Sequence, residues 1–400
     1  MPPQHSRRQI ISVLHALSTT LVLTSVGAAR AESNPFYVGA NLSLAHDSNV
    51  FRRPDAVADT SYSAGLLGGI DQPIGRQRMY ASGRLRDTRY QDLKQLDNTG
   101  YSVNAGLEWE TVEKLSGTLS YSANESLFNF GGTNITQSTA RNIERSNEAL
   151  ARVKYGASSL LAVEGSYTRR SLRYSDPRYQ ANGLTQDAVG AGLVYRPSAA
   201  LKLGAGLRIT RGQYEGSGQD FDRRDVDLTA TWVATGLSTF DGRFSLGRRE
   251  TRGGRSELDF SGATGQLSWT YQPTGKLQFK TSFSRDSGAE SGFIDFNAPQ
   301  AGSVGDSSKI TNAITLNAAY VLSSKIRVGA GLRANHRSLV SGAVEGSDSV
   351  RSATLSVSYA ALRNLALSCN VGRETRGASG PLSFGYGASS ATCSAEIKLQ

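Results

Sequence analysis

Beyond its first 31 residues the chain has no apolar run approaching the 18 or so residues that a transmembrane helix requires, and its mean hydropathy is −0.34. No helix of the processed chain is expected to cross a bilayer. Cysteine is nearly missing: Cys369 and Cys393 are the only two in 400 residues, and zinc-site spacing is absent. Histidine is also sparse, with four in the chain and only His46 and His336 past the leader. His46 beside Asp47 could form a base with an orienting carboxylate. It has no identifiable serine or cysteine partner, and the chain carries no nucleophile elbow or phosphate loop. An enzyme, a metal site and a cofactor are all unexpected. The glycine runs Val189–Leu193, Leu203–Leu207 and Val328–Leu332 lack the third glycine of a dinucleotide fingerprint, and no helix follows them. Their glycines read as small residues on one face of curved strands.

What the chain does have begins with a leader. A basic head with Arg7 and Arg8, an apolar stretch from Ile10 to Ala29 and the small-x-small triplet Ala29, Arg30, Ala31 read as a secretory signal peptide over 1–31. The chain then divides into that signal and one domain, 32–400. Of 44 basic residues three leave with the leader and no acid does, so 41 remain against 34 acidic ones, a net charge of +7. The excess is not gathered into runs and the chain is exported, so nucleic acid is not an expected partner.

The strongest positive signal is alternation. Leu201, Leu203, Ala205, Leu207 and Ile209 interleave with Lys202, Gly204, Gly206, Arg208 and Thr210. In a strand these sets face opposite ways, one suited to lipid and the other to water. Such segments recur about eighteen times, from 36–46 to 387–399, between alternately short and long connections. The spacing predicts an all-β, antiparallel up-and-down transmembrane barrel of about 18 strands with both termini periplasmic, in the outer membrane of a Gram-negative bacterium. The long connections include 127–143, 287–308 and 338–347. Trp109, Tyr155, Tyr195, Trp232, Tyr271, Tyr320 and Tyr359 fall on the apolar parity near the short turns and predict an interfacial aromatic girdle. Cys369 and Cys393 sit at like-facing positions on the last two strands. They read either as a cross-strand disulfide or as two small apolar residues facing lipid. No strand stands out as a flattened association wall, so a monomer surrounded by outer-membrane lipid is expected.

A barrel of this size encloses water. On the parity opposite to the lipid face lie Arg84, Arg86, Arg152, Lys154, Arg170, Lys202, Arg208, Arg243, Lys280, Arg327, Arg333 and Lys398. Seven acids share that parity: Glu108, Glu148, Glu164, Asp227, Asp241, Glu374 and Glu396. A basic wall raises local anion concentration in a narrow pore, whereas full cross-strand pairing would merely keep the wall wet. Tyr80, Tyr90 and Tyr214 offer stacking or hydroxyl contacts to sugar rings, or ordinary rim packing. The segment from Asp286 to Ser308, with Phe293, Ile294 and Phe296 between its breakers, is long enough to fold inward as a gate.

Several stretches resemble the barrels of bacterial exopolysaccharide gene clusters, the EpsL-like group of the larger barrel-porin superfamily. They are DSNVFRRPD at 47–55, RYQDLKQLDNTGY at 89–101, PTGKLQF at 273–279, SRDSG at 284–288 and CSAEIKLQ at 393–400. The resemblance implies passage of a secreted, acidic exopolysaccharide chain through the basic lumen. Its partners would be periplasmic and inner-membrane polysaccharide export components, with barrel-assembly machinery inserting the chain. One departure is the terminus, Leu399–Gln400, where many such barrels end in an aromatic residue. The alternatives are a general or anion-preferring diffusion porin, and a non-transport surface or structural barrel.

Overall fold

The computed structural model describes residues 34–400 apart from 113, 131–138, 157–158, 217–219, 253–258, 288–307 and 342. The leader expected over 1–31 lies outside the described residues. The chain folds as eighteen strands. The first six are β1 (Phe36–Asp47), β2 (Asp59–Ile74), β3 (Gln77–Tyr90), β4 (Asn98–Glu110), β5 (Leu115–Leu127) and β6 (Ile143–Tyr155). Next come β7 (Leu161–Tyr174), β8 (Leu184–Tyr195), β9 (Leu201–Tyr214), β10 (Phe221–Thr235), β11 (Ser238–Thr251) and β12 (Phe260–Thr274). The last six are β13 (Leu277–Asp286), β14 (Ser308–Val321), β15 (Ile326–Ser341), β16 (Val344–Ala360), β17 (Leu365–Ser379) and β18 (Tyr386–Leu399). One helical turn, α1 (Pro177–Gln180), lies between β7 and β8.

Every strand pairs antiparallel with its sequence neighbours, and β1 pairs with both β2 and β18, so the sheet closes on itself. Closure leaves no unpaired edge, a condition for strands to cross hydrocarbon. The alternation read from sequence is the alternation of the wall. On β9, Leu203, Leu207 and Ile209 are 38%, 65% and 61% exposed on the outer face, while Arg208 and Thr210 on the opposite parity are 9% and 2% exposed. Small inward residues let neighbouring strands approach. A side chain on Gly192 of β8 would meet the Ala205 carbonyl oxygen at 2.8 Å and the Gly206 Cα at 3.1 Å.

The two ends of the barrel differ. Both ends of the described chain lie with connections such as 75–76, 236–237 and 275–276 at a short-turn rim, where Gly75 supplies φ +62°. One expected long loop is not one. Residues 338–347 are mostly paired strand, because β15 and β16 run on to a Ser341↔Val344 pairing. Alternation weakens there as the strands leave the apolar belt, which hid the extension.

The expected girdle residues sit outward at the short-turn rim and belong to a larger array. Trp232, Phe240, Trp269 and Tyr271 stack in succession with ring centroids 5.7, 6.1 and 5.4 Å apart. Cys369 and Cys393 are directly opposite on the outer face of β17 and β18, with Cα atoms 4.1 Å apart and their sulfurs bonded. A central packed core is not what holds this fold. Its main apolar cluster sits at the long-loop end.

Candidate functional site

The inner wall carries the charges that the parity argument placed there. Some are neutralised in the wall. Arg84 donates to Glu396 at 2.9 Å, and Lys398 reaches the same carboxylate at 2.9 Å. Arg152 and Lys154 share Glu164, at 3.2 and 3.1 Å. Arg208 bridges Asp225 and Asp227, at 3.2 and 3.0 Å. Others are not neutralised: Arg86, Lys202, Lys280 and Arg333 have no carboxylate within 4 Å among the described residues. Arg170, Arg243 and Arg327 share the inward parity, with Arg170 opposite Glu148 and Gln186, Arg243 opposite Thr229 and Gln266, and Arg327 opposite Ser358. The wall thus combines paired charges at some positions with cations that have no nearby carboxylate among the described residues at others.

Six inward arginines were not among the residues singled out from sequence: Arg52, Arg78, Arg223, Arg249, Arg337 and Arg376. Four of them shared a parity already assigned, Arg223 with Asp227, Arg249 with Arg243, Arg337 with Arg333 and Arg78 with Arg84. Arg376 lies just past the strand end expected at 374. Arg223 and Asp225 form a fully buried pair at 2.8 Å, and Arg223 also donates to Thr264 on β12 and to Ser287 just past β13. Arg337 grips Asp348 at 2.6 Å, with Arg376 3.8 Å away. These buried pairs are enclosed by hydrogen bonds and stiffen the wall. Arg78 pairs with Asp71 through two hydrogen bonds of 2.8 and 2.7 Å nearer the short-turn rim, beside Tyr80.

At the long-loop end the passage is narrowed by connections that fold inward. Leu172, Tyr174, Leu184 and Phe221 stand on the inner faces of β7, β8 and β10 and are all buried. Phe51, Leu96, Phe128, Phe130 and Tyr179 come from the connections and pack against them. Because the wall members point inward, the loop members lie inside the mouth. Phe128 is the hub, with ring centroids 5.8, 5.7 and 5.1 Å from those of Phe130, Tyr174 and Tyr179. Tyr90 and Tyr214 join this cluster, so the rim-packing reading holds for both.

One side chain locks the first of these connections. Arg52, 4% exposed, has left-handed backbone with φ +55°. Its guanidinium reaches Asp47 on β1 at 2.8 Å and Glu374 on β17 at 3.2 Å, and Tyr386 donates to the same Glu374 at 2.7 Å. Burial works against the arginine's charge, but the Asp47 hydrogen bond and both carboxylates outweigh it and raise its pKa above the ordinary value. The gate expected over 286–308 falls almost wholly outside the described residues. Only its start is seen, where Ser287 accepts from Arg223 on the inner wall.

His46 does not form a base and orienting pair. It lies on the outer face against the Thr60 hydroxyl at 3.0 Å.

Among solved structures, the outer membrane protein OpdK from Pseudomonas aeruginosa is similar at TM-score 0.52 and 13% identity, covering 91% of this chain and 99% of that one. OpdO from the same organism is similar at TM-score 0.50 and 14% identity, over 91% and 97% of the two chains. No protein-family model and no curated relative matches the chain. The likeness shows the fold, a closed antiparallel barrel of the outer-membrane kind. It gives no support to the EpsL-like resemblance. The short stretches that carried that resemblance are turns and strand ends, which recur in unrelated barrels.

Proposed function

We propose that this chain is an outer-membrane diffusion channel for small anionic solutes, acting as a monomer with its short turns in the periplasm. The observation that carries the reading is the set of inward cations with no carboxylate within 4 Å among the described residues, Arg86, Lys202, Lys280 and Arg333, in a closed barrel. Fixed positive charge on a water-filled wall of low dielectric concentrates anions and repels cations. The inward-packed mouth favours small solutes over a polymer, since the aromatic cluster takes space that an extended chain would need. Export of an exopolysaccharide, with periplasmic and inner-membrane partners, is accordingly the weaker reading.

The test is the reversal potential of the purified chain in planar bilayers under a potassium chloride gradient. Anion preference is expected, and replacing Arg86, Lys202, Lys280 and Arg333 together by glutamine lowers the chloride-to-potassium permeability ratio severalfold. Equal permeabilities in the unmodified chain would overturn the reading. A deletion strain that lost extracellular polysaccharide with normal uptake of small anions would restore the export reading.

A further inference from the structure

The outer wall carries a feature that conduction does not use. On β10 and β11, Arg224 and Arg248 are direct cross-strand partners and both point outward. Like charges opposite each other destabilise a sheet unless something neutralises them. Several other outward arginines have a carboxylate: Arg145 pairs with Glu125, Arg169 with Asp187 and Arg211 with Asp222. Arg351 and Arg373, outward on β16 and β17, have none among the described residues, but they face Ala334 and Ala353 and not a second arginine. Arg224 has none among the described residues. Among the described residues the one carboxylate Arg248 reaches is Glu250 at 3.0 Å, and those side chains are 73% and 61% exposed, so that pair is weak. Arg285 on β13, also outward, is held by the Ala263 carbonyl and the Asn312 side chain and has no carboxylate partner among the described residues.

Directly toward the short-turn rim from these arginines, the outer wall is hollowed into a groove of about 820 Å³. Its sides are Leu203, Leu228, Phe244, Leu267 and Phe283, all exposed on the lipid face. Its floor is made of the smallest outward residues, among them Ala230 and Gly242, and Arg285 lines its upper end. Arg224 stands four residues above Leu228, Arg248 four above Phe244 and Arg285 two above Phe283. At about 3.3 Å per residue, the arginines lie about 7 to 13 Å from the groove's side chains along the strands. That is the arrangement of a phosphate and the acyl chains below it.

We propose that this face is a binding site for one phosphate-bearing membrane lipid, whose phosphate sits between Arg224 and Arg248 and whose acyl chain fills the groove. Arginine suits the headgroup because its planar fork gives charge-assisted hydrogen bonds to phosphate oxygens. The groove gives the chain a fixed seat that a smooth lipid-facing wall does not offer.

The experiment is native mass spectrometry of the full chain in detergent, titrated separately with phosphatidylglycerol, a bis-phosphorylated acylated glucosamine disaccharide, diacylglycerol and inorganic phosphate. One tightly held phospholipid or phosphoglycolipid is expected, with diacylglycerol and inorganic phosphate both weaker. The variant Arg224→Gln/Arg248→Gln binds that lipid about tenfold more weakly. Gly242→Leu also weakens it by filling the groove, and it is tolerated because a Cβ there lies 3.5 Å from its nearest neighbour, Leu267 Cδ1. Arg351→Gln, which removes an outward arginine elsewhere, leaves binding unchanged. Binding of diacylglycerol or free phosphate as tight as that of the phosphorylated lipid overturns the proposal, as does an unaffected arginine variant. Anion selectivity is the same in all three variants, so this site fails or stands independently of the channel reading.

Discussion

Replacing Arg52 by alanine is expected to release the connection between β1 and β2 from the mouth. The side chain is 5% exposed and holds two carboxylates that are 27% and 16% exposed, at 2.8 and 3.2 Å. Removing one member of a fully buried pair costs about 3–5 kcal/mol. Water reaches Asp47 in part, so about 2–3 kcal/mol is the expected loss from the closed loop after discounting for screening. Alanine keeps the strain of the left-handed backbone at position 52, so the comparison reads the ion pairs together with the guanidinium's hydrogen bond to the Asn49 carbonyl. The open population then rises about 30- to 150-fold.

Chymotrypsin cleavage after Phe51 reads that population, because Phe51 is 4% exposed while the loop is packed. Cleavage that is slow compared with reclosing tracks the open fraction, so its rate follows the same factor. Arg52→Lys retains the charge without the fork and falls between. Cleavage of Arg52→Ala within about twofold of the unmodified chain would refute the argument, because the pairs would then be worth less than 0.5 kcal/mol.

Three further outcomes follow from the same structure. Phe128→Ala removes the hub of the mouth cluster, costs about 3–5 kcal/mol locally, and raises single-channel conductance without moving the reversal potential. Replacing Cys369 and Cys393 together by alanine leaves conduction unchanged but lowers thermal stability in detergent, since closing a 24-residue separation stabilises by about 3 kcal/mol; equal melting with and without the bond would show that the sheet alone fixes the seam. All three tryptophans, Trp109, Trp232 and Trp269, occupy the outward short-turn rim, so their emission is quenched more by a spin label at the lipid headgroup than by one near the acyl terminus.

The barrel was legible because its physics is periodic. Lipid and water impose opposite requirements on alternate residues, so the parity of Leu203 and Arg208 survives an error of two residues in a strand boundary. The number of strands, their order and the face of every charge singled out follow from that parity. The mouth was not legible. Phe51, Leu96 and Phe128 lie in connections without periodicity, and nothing local says that they turn inward to meet Leu172 and Phe221. Arg52 was within a quoted stretch, but its role depends on Glu374, which lies 322 residues away. Nor does the sequence separate a paired arginine from an uncompensated one, because pairing depends on the register of strands far apart in the chain.

That last distinction decides how the wall acts on an ion. A paired arginine and carboxylate present a dipole, whose field decays over its own short length, whereas a lone cation acts out to about a Debye length, near 8 Å at physiological salt. Arg78 with Asp71 is a bidentate pair, with Glu108 3.9 Å from the same guanidinium, and Arg333 has no carboxylate within 4 Å among the described residues. The double variant Arg78→Gln/Asp71→Asn removes two charges yet leaves the net charge of the wall unchanged, so its reversal potential stays at the unmodified value. Arg333→Gln removes one charge and shifts the reversal potential toward potassium. If the double variant shifted it as far, selectivity would arise from solute contact with individual guanidinium groups, and the uncompensated field would not be its source.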